Sequence, residues 1–165
     1  MDDREIEAEI RRLGALGRDE PEFFGPVPDQ AIEAAERELG VRFPRSYRVF
    51  LRRLGAAYMV HQEFYGLPFP PPPGEDINLS NFYDYKDVVK STKYLWEGDA
   101  GHGLPRNFIN VSSDGCGYYY HIDVSRRDDR DKCPVVVMGP GAPGVVAADD
   151  YLEFVRKIAL DEPLF

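Results

Sequence analysis

Apolar residues recur at helical spacing along the first part of the chain. Ile6, Ile10 and Leu13 fall at i, i+4 and i+7, which predicts a helix over residues 2–16, with Asp2 and Asp3 suited to its positive N-terminal end. The stretch GRDEPEFFGPVP that follows is broken by glycine and proline and reads as a loop. Ile32, Ala35 and Leu39 share one face of a second helix from about Asp29 to Leu39, where Asp29 suits the N-cap and Gly40 the position just past the end. Tyr47, Phe50, Leu51 and Leu54, at i, i+3, i+4 and i+7, mark a third helix, opened by Pro44 as its first residue and closed by Gly55.

The period then changes. AAYMVHQEFYGLPF predicts one or two short strands, and Pro70 to Pro73 a stiff extended loop, because no proline can donate to a strand ladder. Asp84 to Trp96 predicts another helix, with Val88, Val89, Thr92, Leu95 and Trp96 facing inward. Phe108, Ile109 and Val111 then form one arm of a hairpin with its tight turn at Asp114–Gly115. The return arm alternates, with Tyr118, Tyr120, Ile122 and Val124 on one face and Tyr119, His121 and Asp123 on the other. A charged loop, SRRDDRDK, leads to the strand CPVVVM. The last helix, roughly Asp149 to Leu160, places Asp150 and Glu153 at capping-box spacing and buries Tyr151, Phe154, Val155 and Ile158. Helices, then strands with one helix among them, then a closing helix, spell an α+β fold: a single domain over 1–165 with helices packed on a mainly antiparallel or mixed sheet.

Composition narrows the function. The chain has 165 residues, of which 43% are hydrophobic, so it can bury a sizeable core. Its 29 acidic against 20 basic residues set the formal charge at −9, which disfavours a direct grip on nucleic acid or anionic lipid and permits a basic protein partner. No apolar run has the length of a membrane-spanning helix. The start, MDDREIEAEIRR, lacks the basic and apolar regions of a secretory signal, so the expected location is cytoplasmic. Cys116 and Cys133 make no disulfide framework and no C-x-x-C. They are expected to be reduced, although adjacent strands would allow them to pair.

The stretch VVVMGPGAPG, Val135 to Gly144, matches G-x-G-x-x-G after a β-branched run. That fingerprint binds a dinucleotide only inside a βαβ unit whose second strand carries an acidic residue. Only DEPLF follows the last helix, and Pro140 and Pro143 remove backbone N–H groups that would meet a pyrophosphate. The expectation is therefore a structural turn between the last strand and the last helix, and no cofactor.

VPDQAIEAAERELGVRFPRSYRVFLRRLGAA, Val27 to Ala57, resembles the signature of the SUKH superfamily. The resemblance rests on Glu36, Leu39, Gly40, Phe43, Pro44, Tyr47, Phe50 and Leu51. It continues through GLPRNFINVSSDGCGYYYHID and through PVVVM with the helix bearing Tyr151, Leu152 and Phe154. It departs at LGAA, where the family often has Asn-Gly, and at PFPPPPGED. The family core then spans residues 27–160, after an N-terminal helix and loop over 1–26. The superfamily includes a yeast cell-wall (glucan) synthesis regulator and many bacterial immunity proteins. The resemblance thus implies a binding protein that neutralises a cognate toxin, or a scaffold or regulatory module that binds a cellular partner. It names no catalytic residue.

The residues themselves agree with that direction. No G-x-S-x-G, H-E-x-x-H or P-loop motif is present. His121, Asp123, Cys116 and His102 match no zinc spacing, and His121 is expected to be structural or at the surface. No metal is expected. Arg42, Arg45, Arg48, Arg52 and Arg53 could gather as a basic patch on the third helix, which would leave the rest of the surface more acidic. The expected partner-binding residues are Glu75, Asp76, Asp84, Asp87, Glu97 and Asp99, with Phe82 and Tyr83 as aromatic anchors or, equally, core. The expected activity is non-enzymatic: occlusion of a basic toxin.

Overall fold

Helix α1 (Asp3–Gly14) starts with a capping box: the Asp2 carboxylate accepts the Glu5 N–H at 2.9 Å, and Glu5 accepts the Asp2 N–H at 2.6 Å. The computed structural model describes residues 1–67, 87–97 and 103–165. Helix α2 (Asp29–Leu39) ends at Gly40, whose φ of 68° is the left-handed conformation glycine adopts without strain. Helix α3 (Arg45–Leu54) begins after Pro44 and ends at Gly55. Later come α4 (Val88–Glu97) and α5 (Tyr151–Ala159).

The seven strands are β1 (Glu22–Phe23), β2 (Ala57–Met59), β3 (Gln62–Phe64), β4 (Phe108–Ser113), β5 (Tyr119–Asp123), β6 (Val135–Gly139) and β7 (Ala142–Ala148). They lie side by side in chain order and every neighbouring pair is antiparallel, so the sheet is a meander.

Register sorts the side chains onto two faces. Ala57, Phe64, Tyr120 and Val137 line up on the core face, as do Ile109, Ile122, Val135 and Ala148. There Phe154 of α5 meets Tyr120 and Phe64, with ring centroids 5.0 and 6.0 Å apart. Tyr47 of α3 packs among Phe43, Phe50 and Tyr151 at 5.2, 5.9 and 4.8 Å. Such aromatic pairs add about 0.5–1.5 kcal/mol each beyond burial. The Tyr47 hydroxyl donates to the carbonyl of Tyr65 at 2.7 Å, so this buried phenol is satisfied.

Helix α4 packs against β4 and α2. Its Trp96 ring N–H donates to the Phe108 carbonyl (3.1 Å), Thr92 Oγ1 accepts the Asn110 N–H (3.0 Å), and the Ser91 hydroxyl donates to the Asn110 side chain. Beside them the Asn110 amide lies 3.3 Å from His121 Nδ1, and the His121 ring stacks on Phe108.

Five sequence expectations change. Glu22–Phe23, read as loop, adds an edge strand. The glycine-rich turn joins β6 to β7, not the last strand to the last helix: Gly141 (φ 72°) lies in the hairpin turn, and Gly144 (φ 86°) sits at a bulge within β7. The Asp114–Gly115 turn is a longer loop over 114–118, in which Asp114 Oδ1 accepts the N–H groups of Cys116 and Tyr118 at 2.7 and 3.1 Å. Pro28, not Asp29, is the N-cap of α2, because Asp29 is drawn to Arg52 at 2.8 Å. Pro44 stands at the N-cap of α3, one position before the first helical residue.

Candidate partner-binding surface

Asp87 and Glu97 frame α4. Asp87 caps it: Oδ1 accepts the N–H of Val89 at 2.8 Å and of Lys90 at 3.1 Å, and burial raises the carboxyl above its ordinary range. Glu97 is exposed at the far end and pairs with Arg106 at 3.6 Å, whose guanidinium lies 4.6 Å from the Trp96 ring centre. Glu75, Asp76, Phe82, Tyr83, Asp84 and Asp99 lie outside the described residues, as does the start of the helix expected from Asp84.

The arginines of α3 do not form an open cationic face. Arg45 pairs with Asp3 at 3.3 Å, Arg48 with Glu36 at 3.4 Å, and Arg53 with Glu7 at 3.8 Å. Arg52 bridges Asp3 and Asp29, both at 2.8 Å. Arg42, before the helix, pairs with Asp131 at 3.2 Å. Each guanidinium is thus held by a carboxylate of α1, α2 or the loop before β6. Exposed pairs of this kind contribute about 0–1 kcal/mol each, so their larger effect is on the surface potential.

Among the described residues, no ion pair engages Glu20, Glu22, Glu33, Asp114, Asp129, Asp149 or Asp161. The cations in the same position, such as Arg4, Arg18, Arg37 and Arg130, are fewer.

The outer face of the sheet adds a row that crosses all seven strands. Glu22, Tyr58, Glu63, Ser113, Tyr119, Met138 and Pro143 stand opposite one another in succession. Tyr58, Glu63, Tyr119 and Met138 are half-buried, and the two ends are exposed. Sequence reasoning did not single out Glu22, Tyr58 or Glu63. Their strands are two or three residues long, too short for alternation to register.

Tyr47, Tyr151, His121 and Asp123 do not converge on the pocket that Asp150 lines. Tyr47 and Tyr151 are pushed well up by burial within the aromatic core. Burial lowers His121 to about 3, so the ring is neutral. Asp123 is held below its ordinary range: burial opposes this, and hydrogen bonds from Ser125, Asn107 and Arg126 outweigh it. None of these groups lines the 170 Å³ pocket formed with Arg45, Ser46, Asp131, Lys132 and Asp150. Among the described residues, no three histidine, cysteine or acidic side chains are grouped as metal ligands would be. Cys116 is exposed, Cys133 is buried, and both are free. No helix among the described residues is long and apolar enough to cross a membrane.

The described residues thus form an antiparallel meander packed with helices, and many of their polar side chains serve as caps and ion pairs. The family model of the SMI1/KNR4 family (SUKH-1) matches residues 26–157, and the chain belongs to that family. No curated protein matches the chain.

Proposed function

We propose that the protein is a non-enzymatic immunity protein that neutralises a cognate basic toxin by covering its active surface. Membership of the family supports a protein-binding role. The observation that carries the finer reading is the charge arrangement. The arginines of the third helix are taken up by the fold's own carboxylates, while Glu20, Glu22, Glu33 and others face outward without a cation. An outward acidic surplus accelerates encounter with a basic protein and opposes phosphate ligands. Occlusion requires no bond chemistry, which fits buried titratable groups that are engaged in packing and capping. Asp87 holds α4 in place rather than offering its charge, whereas Glu97 stays exposed. Glu75, Asp76, Phe82, Tyr83, Asp84 and Asp99 remain proposed contacts. The protein acts in the cytoplasm, where a toxin must be met before it reaches its target.

Co-expression with the product of the adjacent gene tests this reading. The chain should restore growth to cells that the neighbour alone kills, and the two should co-purify. A harmless neighbour that forms no complex would leave a scaffold or regulatory module of the same fold as the better account.

A further inference from the structure

Two helices open onto one small cavity at their N-terminal ends. The 170 Å³ pocket is lined by Arg45 and Ser46 of α3, by Asp150 at the N-cap of α5, and by Arg130, Asp131 and Lys132 of the loop before β6. The positive ends of both helices thus face the same space. The end of α3 has no side-chain cap, because Pro44 stands there, and no hydrogen bond engages the N–H groups of Ser46 and Tyr47 among the described residues. A second observation points the same way. Ser46 is only 8% exposed, and its buried hydroxyl has no hydrogen-bond partner among the described residues. A buried hydroxyl left unmet is costly, and turning this one about a single bond presents it to the cavity that Ser46 lines. Three cations border the same pocket. Arg130 makes no ion pair among the described residues. Lys132 stands 3.6 Å from Asp150, beyond hydrogen-bond reach, so its three donors are uncommitted. Arg45 is partly engaged, by Asp3 at 3.3 Å and by the Met1 carbonyl at 2.8 Å. The carboxylates of the lining are occupied: Asp131 by Arg42 and Arg127, and Asp150 by the Glu153 N–H at 2.8 Å. Asp128, on the same loop, accepts the N–H groups of Arg130 and Lys132 at 2.9 and 2.8 Å.

We propose that this pocket binds the phosphate group of a small phosphomonoester. A phosphate presents three strong acceptor oxygens and a charge of about −1.5 to −2 at neutral pH. The pocket answers with donors of several kinds: the guanidinium fork of Arg130, the Lys132 ammonium, the Ser46 hydroxyl and the free N–H groups of the first turn of α3. A carboxylate, with one charge and two oxygens, would leave part of that set unmet. At 170 Å³ the pocket is smaller than the roughly 300–1,000 Å³ of sites that enclose a drug-sized ligand, so it suits one phosphate group and not a whole nucleotide. An adjoining cavity of 280 Å³ shares Lys132, Asp150 and Leu152 with it and adds Leu13, which gives a short organic group an apolar wall. The acids of that cavity, Glu9 and Glu153, are paired with Arg12 and Arg156. The acidic surplus of the whole surface still disfavours a polyanion such as nucleic acid, whereas a single phosphate meets these cations at contact distance. The site is independent of the toxin-binding reading.

The test uses the full chain without a partner, titrated with glycerol 3-phosphate and, in a second arm, with inorganic phosphate. The amide resonances of Ser46 and Tyr47 should shift and saturate, with a dissociation constant of about 1 mM or below for the ester. Sodium chloride at the same ionic strength should leave them in place. The double variant Arg130→Gln/Lys132→Gln should weaken binding at least about tenfold, and Ser46→Ala at least about threefold. Ser46→Ala should keep the thermal stability of the unliganded chain, because the hydroxyl it removes has no partner there, so its weaker binding is not a loss of fold. Arg18→Gln, the same charge change at an exposed arginine that does not line the pocket, should stay within about twofold. Tighter binding of the ester than of inorganic phosphate supports the proposal. Equal or tighter binding of inorganic phosphate would overturn the ester and assign the pocket to the free anion. Shifts that never saturate, or unchanged affinity in the pocket variants, would overturn the site itself.

Discussion

The Glu36 carboxylate accepts the backbone N–H of Phe43 at 2.7 Å across the turn between α2 and α3, and its other oxygen lies 3.4 Å from Arg48. One buried acid thus closes the turn from both sides. It holds the last turn of α2 to the start of α3, with Gly40 in the left-handed conformation between them. This gives a physical meaning to the acidic residue before Leu39–Gly40 and to the Phe43–Pro44 pair: the motif is a corner, and the corner fixes the angle at which Tyr47 enters the core.

Glu36→Ala should therefore lower stability by about 2 kcal/mol, since it removes a charge-assisted hydrogen bond and leaves a buried N–H unpaired. Glu36→Gln keeps an acceptor and should lose about half as much. Urea denaturation measures both. Equal losses would mean that the ion pair with Arg48, not the Phe43 bond, holds the corner.

His121 makes stability fall on the acid side of neutrality. Its folded pKa, about 3, lies below the ordinary value of 6.5, because burial disfavours the charged ring. The unfolded chain therefore takes up a proton as pH drops below 6.5 while the native chain does not. The His121 contribution is fully present above pH 6.5 and is lost progressively toward pH 3, at about 1.4 kcal/mol per pH unit. Between pH 6.5 and 5, above the usual carboxylate range, His121→Asn should flatten the stability profile relative to wild type. The imidazole carbon shifts of His121 should also show no titration from pH 8 to 5. A normal titration near 6.5 would contradict the burial of this ring beside Phe108 and Asn110.

Gly66 allows the chain leaving β3 to pass the end of α3. A Cβ there would sit 1.7 Å from the Gly55 carbonyl oxygen, which itself accepts the Leu67 N–H at 2.8 Å. No side chain can be accommodated without separating two backbones. Gly66→Ala should cost at least about 3 kcal/mol, at the severe end for one substitution, and show in thermal melts as a large fall in Tm. A melt within a few degrees of wild type would mean the two segments are not in contact.

The helices and the central hairpin were legible because their apolar spacing is long enough to count. The α3 stripe names the buried face correctly, and the alternation over 118–124 marks a strand, although β5 is buried on both of its faces. The edges of the sheet were not. β1 has two residues, and β7 carries Pro143, Gly144 and two register shifts, which break the period that identifies a strand. Those irregularities also blunt the edge against unwanted pairing. His121 was legible as a strand residue but not as a buried one, because its burial depends on neighbours such as Phe108 and Asn110 that only strand pairing brings to it. The acidic–aromatic row was hidden for a related reason: Glu22, Tyr58, Glu63 and Tyr119 are far apart in the chain, and only strand register makes them neighbours.

The two thiols should behave differently. Cys116 is exposed on the loop after β4, whereas Cys133 is buried and its thiol is raised by burial. A thiol-reactive chromophore should label one cysteine in the native chain and the second only in denaturant. Rapid labelling of both would place Cys133 outside the core.

The central claim is that a negatively biased exterior grips a basic protein without doing chemistry on it. Its most direct measurement is the dissociation constant for the inactivated product of the adjacent gene, followed from low to high salt. The account predicts a tight complex that weakens at least tenfold between 50 and 500 mM salt, with the change mainly in the association rate, as screening of opposite charges requires, on the order of a 10 Å Debye length at 0.1 M. A complex whose affinity is indifferent to salt, or no complex at any salt, would contradict it.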